Sequence, residues 1–285
     1  MERVSTARRG SQVFLWGAPF LSPILMLAYR AGGLKLYAIG GATLVFLMAG
    51  AVWILAAGST TSPANNRHLP LLAGVLLIAS LASAAVTVTT GPPPTSAAAW
   101  VATQTEQHVR YVGLLVAGLL ALAGLGLLTA RLREAGESVF SVLAFSAYMI
   151  ATGLFVLFTL GALTIYDLIA QQASAGNMPA WTSPLQILIS SWLEIYAVLS
   201  YLATSLYAMA LGKAGWLAKF GCAAFAGLGA IAAVSALIAI ITPNGSGTLT
   251  HGLFVFLIPA VPLILPYLLG VNLVRRAGDS VSSQV

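Results

Sequence analysis

Residues 111–130 read YVGLLVAGLLALAGLGLLTA, twenty consecutive positions without a charged side chain. Two arginines, Arg131 and Arg133, follow within three residues. A membrane-spanning α-helix needs about 20 mainly apolar residues, and Lys and Arg collect at its cytoplasmic end. The stretch therefore predicts a transmembrane helix whose carboxyl end faces the cytoplasm.

The composition of the whole chain extends this interpretation. Hydrophobic residues make up 59% of the 285 positions, charged residues 7%, and the mean hydropathy is +0.94. A soluble domain carries roughly a quarter charged residues, so this chain cannot cover a water-facing surface. In lipid the backbone groups must bond within the protein, and the alternating pattern of a transmembrane barrel is absent. The predicted fold is an all-α, polytopic transmembrane helix bundle.

Similar apolar stretches recur and predict about eight spans. The first is the weakest because it is short and contains Pro19 and Pro23. It could instead be a re-entrant or interfacial segment, or a cleaved signal peptide, since Arg3, Arg8 and Arg9 precede it. The predicted spans are residues 13–29, 36–57, 69–88, 111–130, 139–166, 184–211, 216–241 and 253–274.

The distribution of Lys and Arg predicts the orientation. With eight spans and both termini cytoplasmic, ten basic residues fall inside and three outside, as the positive-inside rule requires. The long connections 89–110 and 167–183 then lie outside, and residues 1–285 form a single membrane domain in the cell membrane. The net charge of +6 belongs to short loops facing an anionic leaflet, so we expect a lipid bilayer and no nucleic acid as partner. The inner ten are Arg3, Arg8, Arg9, Arg67, Arg131, Arg133, Lys213, Lys219, Arg275 and Arg276; the outer three are Arg30, Lys35 and Arg110.

Two stretches about half the chain apart resemble each other. Residues 108–138 read HVRYVGLLVAGLLALAGLGLLTARLREAGES, and residues 251–280 read HGLFVFLIPAVPLILPYLLGVNLVRRAGDS. Each begins at a histidine and ends in arginines followed by Ala-Gly-acid-Ser. This similarity suggests an internal repeat, 1–138 and 139–285, of two parallel four-helix halves. Chance is the alternative, because apolar helices that end in arginine are common.

Glu194 is the most informative single residue, because it lies about ten positions into the sixth predicted span. A charged side chain at the centre of a spanning helix costs about 2.5 to 3.5 kcal/mol on insertion scales. The carboxyl is therefore expected to face the bundle interior, or to be protonated, or both.

Polar residues form one stripe on the fifth predicted span and another on the sixth. The stripe on the fifth span is Ser141, Tyr148, Thr152, Thr159 and Tyr166, and the stripe on the sixth is Ser190, Glu194, Tyr201, Thr204 and Ser205. The stripes predict a proton- or ligand-binding seam between the two spans, with Glu194 as its charged member and Asp167 at a possible outer entrance. The alternative is that the hydroxyls only join helices, at about 0.6 kcal/mol per contact.

The remaining polar residues indicate no resident cofactor. His108 and His251 could ligate a metal or haem at the outer surface if the fourth and eighth spans adjoin, but interfacial histidines usually contact water. Cys222 is the single cysteine and permits no thiolate cluster. No metal ligand or catalytic residue is assigned, since the chain contains no HExxH, phosphate-binding loop or Gly-x-Ser-x-Gly turn. Pro259, Pro262 and Pro266 predict a kink in the eighth span.

Three functions remain open at this level. The first is a transporter or permease-like protein for a small apolar or amphiphilic molecule, possibly proton-coupled through Glu194. The second is an accessory or structural subunit of a larger membrane complex, or a homo-oligomer. The third is a membrane-embedded enzyme acting on a lipid or isoprenoid. A cavity at Glu194 favours the first, an outward-facing Glu194 the second, and a second acid or base beside it the third.

Overall fold

The computed structural model describes residues 2–31, 34–56, 68–88, 97–172, 180–242, 258 and 260–282. All regular structure in these ranges is helical, which confirms the all-α prediction for this part of the chain. The helices are α1 (Glu2–Ala31), α2 (Leu34–Ala56), α3 (His68–Val88), α4 (Ala97–Glu134), α5 (Val139–Gln172), α6 (Thr182–Lys213), α7 (Lys219–Ile241) and α8 (Ile264–Ser282).

Six of these helices, α2 to α7, are long and apolar enough to cross a membrane. The chain is therefore a multi-pass membrane protein. Helix α1 is continuous across the weakest predicted span, including Pro19, but it is not among the six. The total of eight spans stays a prediction. The candidate spans are Tyr37–Ala56, His68–Ala85, Val101–Glu134, Val139–Ile169, Thr182–Lys213 and Lys219–Ile241.

Two predicted connections are shorter than the sequence suggested. Helix α4 begins at Ala97, so the assignment of residues 89–110 to a loop is wrong from Ala97 onward. Alanine has the highest helix propensity of the amino acids, so the run Ala97-Ala98-Ala99 favours helix without support from tertiary packing. Helix α5 likewise extends past Tyr166 to Gln172.

The prolines of the predicted eighth span mark where a helix begins. Pro262 lies in a 3-10 turn, Val261–Leu263, and Pro266 lies in the first turn of α8. The missing N–H of proline costs little there, since first-turn donors have no intrahelical acceptor. Pro259 and residues 243–257 lie outside the described residues, so the expected kink in this span stays a prediction. Helix α8 also continues beyond the predicted end at residue 274, through Arg275 and Arg276.

Helices α3 to α7 pack as sequential neighbours. Paired residues show that α3, α4 and α5 run antiparallel to one another: Ser83 bonds Gly113 O while Leu77 lies against Gly124, and Tyr111 meets Tyr166 while Phe145 lies against Gly126. Helix α8 packs on the free side of α3, and α1 packs mainly on α2. The core therefore runs from α8 through α3, α4 and α5 to α6, with α7 at the edge.

Where the structure describes them, the two similar stretches lie mainly on α4 and α8, which both flank α3. A Cβ on Gly124 of α4 would contact Ala73 O and Leu77, and a Cβ on Gly270 of α8 would contact Leu77 as well. Their ends differ, because α4 stops before Gly136, which adopts a left-handed φ of 86°, whereas α8 runs on to Ser282. Shared packing on α3 does not establish duplication, and the internal repeat stays a prediction.

The crossing of α3 and α8 depends on two glycines in contact. A Cβ on Gly74 would lie 2.7 Å from Gly270 O and 2.8 Å from Val274 Cγ2. We expect Gly74→Ala to lower the free energy of unfolding by about 1 to 3 kcal/mol, because the backbones must separate. Thermal unfolding of the detergent-purified protein measures this.

Gly153→Ala is the matched control, since a Cβ there meets no atom within 4 Å. It should leave the melting temperature unchanged or slightly raised, because alanine favours helix over glycine. Equal melting temperatures for the two variants would contradict a tight crossing at Gly74.

Candidate functional site

Helix α6 presents polar side chains on two different sides. One row faces α4 and α5: Tyr196 stacks on Phe155 at 4.4 Å between ring centroids, and Tyr207 Oη lies 2.7 Å from Thr129 Oγ1. The other row faces α7, where Ser205 Oγ donates to Ala226 O at 3.0 Å. Tyr201 belongs to this second row, since it packs with the alanines of α7.

Glu194 lies in line with the second row, one turn before Ala197 and two turns before Tyr201. The residue is half-buried, and Ser190, one turn earlier, is exposed. Among the described residues, the Glu194 carboxylate accepts no hydrogen bond and forms no ion pair. Its flanks are apolar and outward-facing, with Ile187 66% and Ile195 45% exposed. The carboxyl is therefore at the lateral surface of the bundle rather than in its interior.

The polar stripe of α5 is buried but does not meet Glu194. Thr152 Oγ1 donates to Tyr148 O at 2.9 Å, and Thr159 Oγ1 donates to Phe155 O at 3.0 Å, so both hydroxyls bond to their own helix. Tyr148 Oη is fully buried without a hydrogen-bond partner among the described residues. The geometry separates the α5 stripe from Glu194, and the binding role predicted for these residues stays a prediction.

Asp167 ties α5 to α4 at the far end of the bundle. Its Oδ1 accepts from Gln104 Nε2 at 2.9 Å and lies 3.2 Å from His108 Nε2. Next to Asp167 on α5, the hydroxyl of Tyr166 lies 2.7 Å from the hydroxyl of Tyr111 on α4. Gln104 was not recognised from the sequence because it stood in a predicted loop.

His251, the other outer histidine, lies outside the described residues. No group of three or more His, Cys, Asp or Glu side chains able to hold a metal occurs in the described ranges.

A cavity of about 790 Å³ lies between α1, α7 and α8, and we name it the basic-end groove. It is at the end of the bundle where α6 finishes and α7 begins. Its wall is apolar and aromatic, with Trp16 and Phe225 6.2 Å apart between ring centroids. The wall also includes Trp216, Phe220, Leu228 and Leu268, and the polar lining residues are Asn272, Arg275 and Arg276.

The turn between α6 and α7 positions the rim of this groove. Gly215 ends α6 with a left-handed φ of 68°, which glycine adopts without steric cost, and Trp216 N–H bonds back to Leu211 O at 2.8 Å. The Arg276 guanidinium lies 5.5 Å from the centre of the Trp216 ring, and its Nη1 donates to Gly215 O at 3.0 Å. Arg276 is exposed as a whole, but partial burial of its guanidinium lowers its pKa from the usual value.

Sequence reasoning did not find the groove, although its residues were visible. Trp16, Trp216 and Arg276 are far apart along the chain, and no periodic pattern connects them. The signal available was the Arg275-Arg276 pair beyond an apolar segment, which was interpreted as an orientation signal.

Comparison with known proteins adds no family. No protein family matches the chain, and neither a curated protein nor a solved structure resembles it significantly. A functional assignment therefore depends on the geometry described above.

Substitution of two buried tyrosines tests whether their hydroxyl groups stabilise the interior of the bundle. Tyr207 Oη donates to Leu125 O at 3.1 Å, whereas Tyr148 Oη has no partner among the described residues, and both side chains are fully buried. Tyr207→Phe should lower the free energy of unfolding by about 1 kcal/mol, since it removes a made hydrogen bond. Tyr148→Phe should be neutral or stabilising, because it removes a buried hydroxyl that bonds nothing. Chemical denaturation of both variants gives the comparison, and an equal loss for Tyr148→Phe would show that its hydroxyl is bonded.

Proposed function

We propose that the protein is a permease-like membrane protein that handles a small amphiphilic molecule, which binds in the basic-end groove. The observation that carries the proposal is the groove itself, an aromatic cavity with two arginines among its lining residues. Its volume of about 790 Å³ is in the range of pockets that hold ligands of drug size, roughly 300 to 1,000 Å³.

The two kinds of lining suit the two parts of an amphiphile. Trp16, Phe225 and Leu268 offer apolar surface, on which burial of a hydrocarbon chain is favourable by roughly 25 cal/mol per Å². Asn272 and Arg276 offer hydrogen-bond donors to a polar head. A purely apolar ligand would leave these polar groups facing hydrocarbon, which is costly.

Access from the bilayer is supported by the edge position of α7. Phe220 and Leu228 line the groove yet are 86% and 56% exposed, so the groove is open along the side of α7. A molecule dissolved in the membrane can enter there without passing through water. If the basic end faces the cytoplasm, as the distribution of Lys and Arg predicts, the entrance is in the inner leaflet.

Glu194 is not part of this groove. The proposal therefore does not depend on coupling transport to a proton at that carboxyl. An enzyme is less well supported, because no second acid or base among the described residues bonds to Glu194.

Filling the groove tests the proposal. Ala224 lines the cavity, so Ala224→Trp should abolish saturable labelling of α7 by a photoreactive amphiphile in nanodiscs, measured by mass spectrometry. Ala230 lies on the same helix, is exposed and is not among the lining residues, so Ala230→Trp should leave labelling unchanged. Equal labelling of both variants would remove the groove as the binding site.

A second function, an accessory subunit of a membrane complex, is favoured by the outward position of Glu194. A half-buried carboxyl beside Ile187 and Ile195 would face hydrocarbon in the isolated chain. A neighbouring subunit that offers a cation or a hydrogen-bond donor would remove that cost. Gly227 and Ala230 on the exposed side of α7 would allow close approach of another helix.

Substitution of Glu194 distinguishes this second function from the first. If Glu194 pairs with a partner, Glu194→Leu should move the protein from a larger complex to the size of the single chain in native electrophoresis of solubilised membranes. Glu194→Gln should keep part of the complex, because the amide still forms hydrogen bonds. Ser190→Ala, on the same exposed side, is the control and should have no effect. A complex of unchanged size in Glu194→Leu would count against the subunit function.

A further inference from the structure

Helix α1 contains a proline that leaves one of its carbonyl groups without a helical donor. In an α-helix each carbonyl accepts from the N–H four residues later. Pro19 has no N–H, so the carbonyl of Leu15 receives no such bond from its own helix. Leu15 and Pro19 are both buried, which shields this carbonyl from bulk water. A buried acceptor is costly unless another group donates to it.

Tyr267 of α8 supplies the donor. Its Oη donates to Leu15 O at 2.7 Å, the usual distance for a hydroxyl donor, and its side chain is fully buried. Proline is tolerated in a membrane helix where a neighbouring helix bonds the freed carbonyl in this way. Tyr207 offers a contrast, since it donates to Leu125 O, a carbonyl that the N–H of Thr129 can already bond. The Tyr267 bond therefore replaces a missing helical bond rather than adding to an existing one.

This hydrogen bond adjoins two walls of the basic-end groove. Trp16, which follows Leu15 on α1, lines the groove and lies 6.2 Å from Phe225 between ring centroids. Leu268, which follows Tyr267 on α8, lines it as well. Helix α1 packs mainly on α2, and its described contacts with α8 are few. A hydrogen bond between α1 and α8 therefore constrains how far apart the two walls lie.

We propose that Tyr267 is a positioning residue of the groove: its hydroxyl bonds the carbonyl that Pro19 leaves free and so holds Trp16 at the groove wall. Without the hydroxyl, the buried carbonyl of Leu15 would lose its donor, so α1 would shift and carry Trp16 with it. The consequence for ligand binding rests on the function proposed above. The dependence of the Tyr267 bond on Pro19 does not.

A double-mutant cycle on folding tests that dependence. Tyr267→Phe should lower the folding equilibrium constant about thirty-fold, because it leaves a buried carbonyl without a donor. Pro19→Ala restores the missing N–H, so in that background Tyr267→Phe should cost only about five-fold, as for an ordinary hydrogen bond. Reversible denaturation of the full-length protein in detergent measures the four constants. Equal losses in the two backgrounds would overturn the proposal.

Tyr207→Phe is the matched control, because its hydroxyl bonds a carbonyl that has its own helical donor. Its loss should be the same with and without Pro19→Ala, since distant sites act additively. If Tyr267→Phe does not fold on its own, Pro19→Ala should restore its folding. A double variant that stays unfolded, where Pro19→Ala alone folds, would also overturn the proposal.

Fluorine NMR follows the position of Trp16 without any ligand. The six tryptophans of the chain are replaced by fluorotryptophan, and Trp16→Phe assigns the resonance. Tyr267→Phe should shift this resonance, whereas Tyr207→Phe should leave it in place. The shift should be several-fold smaller when Tyr267→Phe is added to Pro19→Ala. A Trp16 resonance that Tyr267→Phe does not move would overturn the positioning role.

Labelling by the photoreactive amphiphile separates this inference from the function on which its binding consequence rests. Tyr267→Phe should reduce labelling of the peptide that contains Trp16 several-fold, and Pro19→Ala should restore most of it. Saturable labelling that Tyr267→Phe leaves unchanged would overturn the positioning role and leave the groove intact as a binding site. Absence of labelling in the unsubstituted protein, together with coupling in the cycle and a shifted Trp16 resonance, would overturn the proposed function and support the role of Tyr267.

Discussion

The structure depends on one constraint, that a backbone surrounded by hydrocarbon must satisfy its own hydrogen bonds. An α-helix satisfies its backbone groups within one segment, and several threonine hydroxyls of this protein also bond within their own helix. Thr152, Thr159 and Thr204 each donate to the carbonyl four residues earlier in their own helix. These hydroxyls therefore need no partner on a neighbouring helix. A polar stripe on a membrane helix is consequently weak evidence for a binding site.

The tyrosines connect the helices to one another. Tyr267 Oη donates to Leu15 O at 2.7 Å and joins α8 to α1, while Tyr207 joins α6 to α4 through Leu125 O and Thr129. Tyr111 and Tyr166 join α4 to α5. A phenol is long enough to cross between helices and bury its ring, and its hydroxyl can still reach a carbonyl that already accepts a helical bond. The interior polarity of this bundle is therefore mostly structural.

The groove follows from how the outer helices are attached. Helix α7 packs on α6 and α8 packs on α3, and the described contacts between α7 and α8 are sparse. Trp16 of α1 reaches Phe225 of α7 across the resulting gap. Bulky aromatic rings and arginine side chains line this gap without filling it, so the packing leaves a cavity that opens toward lipid. The proposed handling of an amphiphile is therefore a property of three peripheral helices rather than of the core.

The sequence by itself determined the solvent, the helical class and the approximate position of most helices. Hydropathy and the number of charges are additive over a local window, and lipid enforces helix wherever that window is apolar. Helix ends were harder, as at Ala97 and Ile264, because propensity and proline position decide them within one turn. Tertiary structure alone decided which side of α6 faces which neighbour, and so placed Glu194 at the lateral surface rather than opposite Tyr148 and Thr152. It also brought Trp16, Trp216 and Arg276 to one cavity. In a chain that is apolar on nearly every face, periodicity does not distinguish a neighbouring helix from lipid, so contacts between distant residues depend on packing.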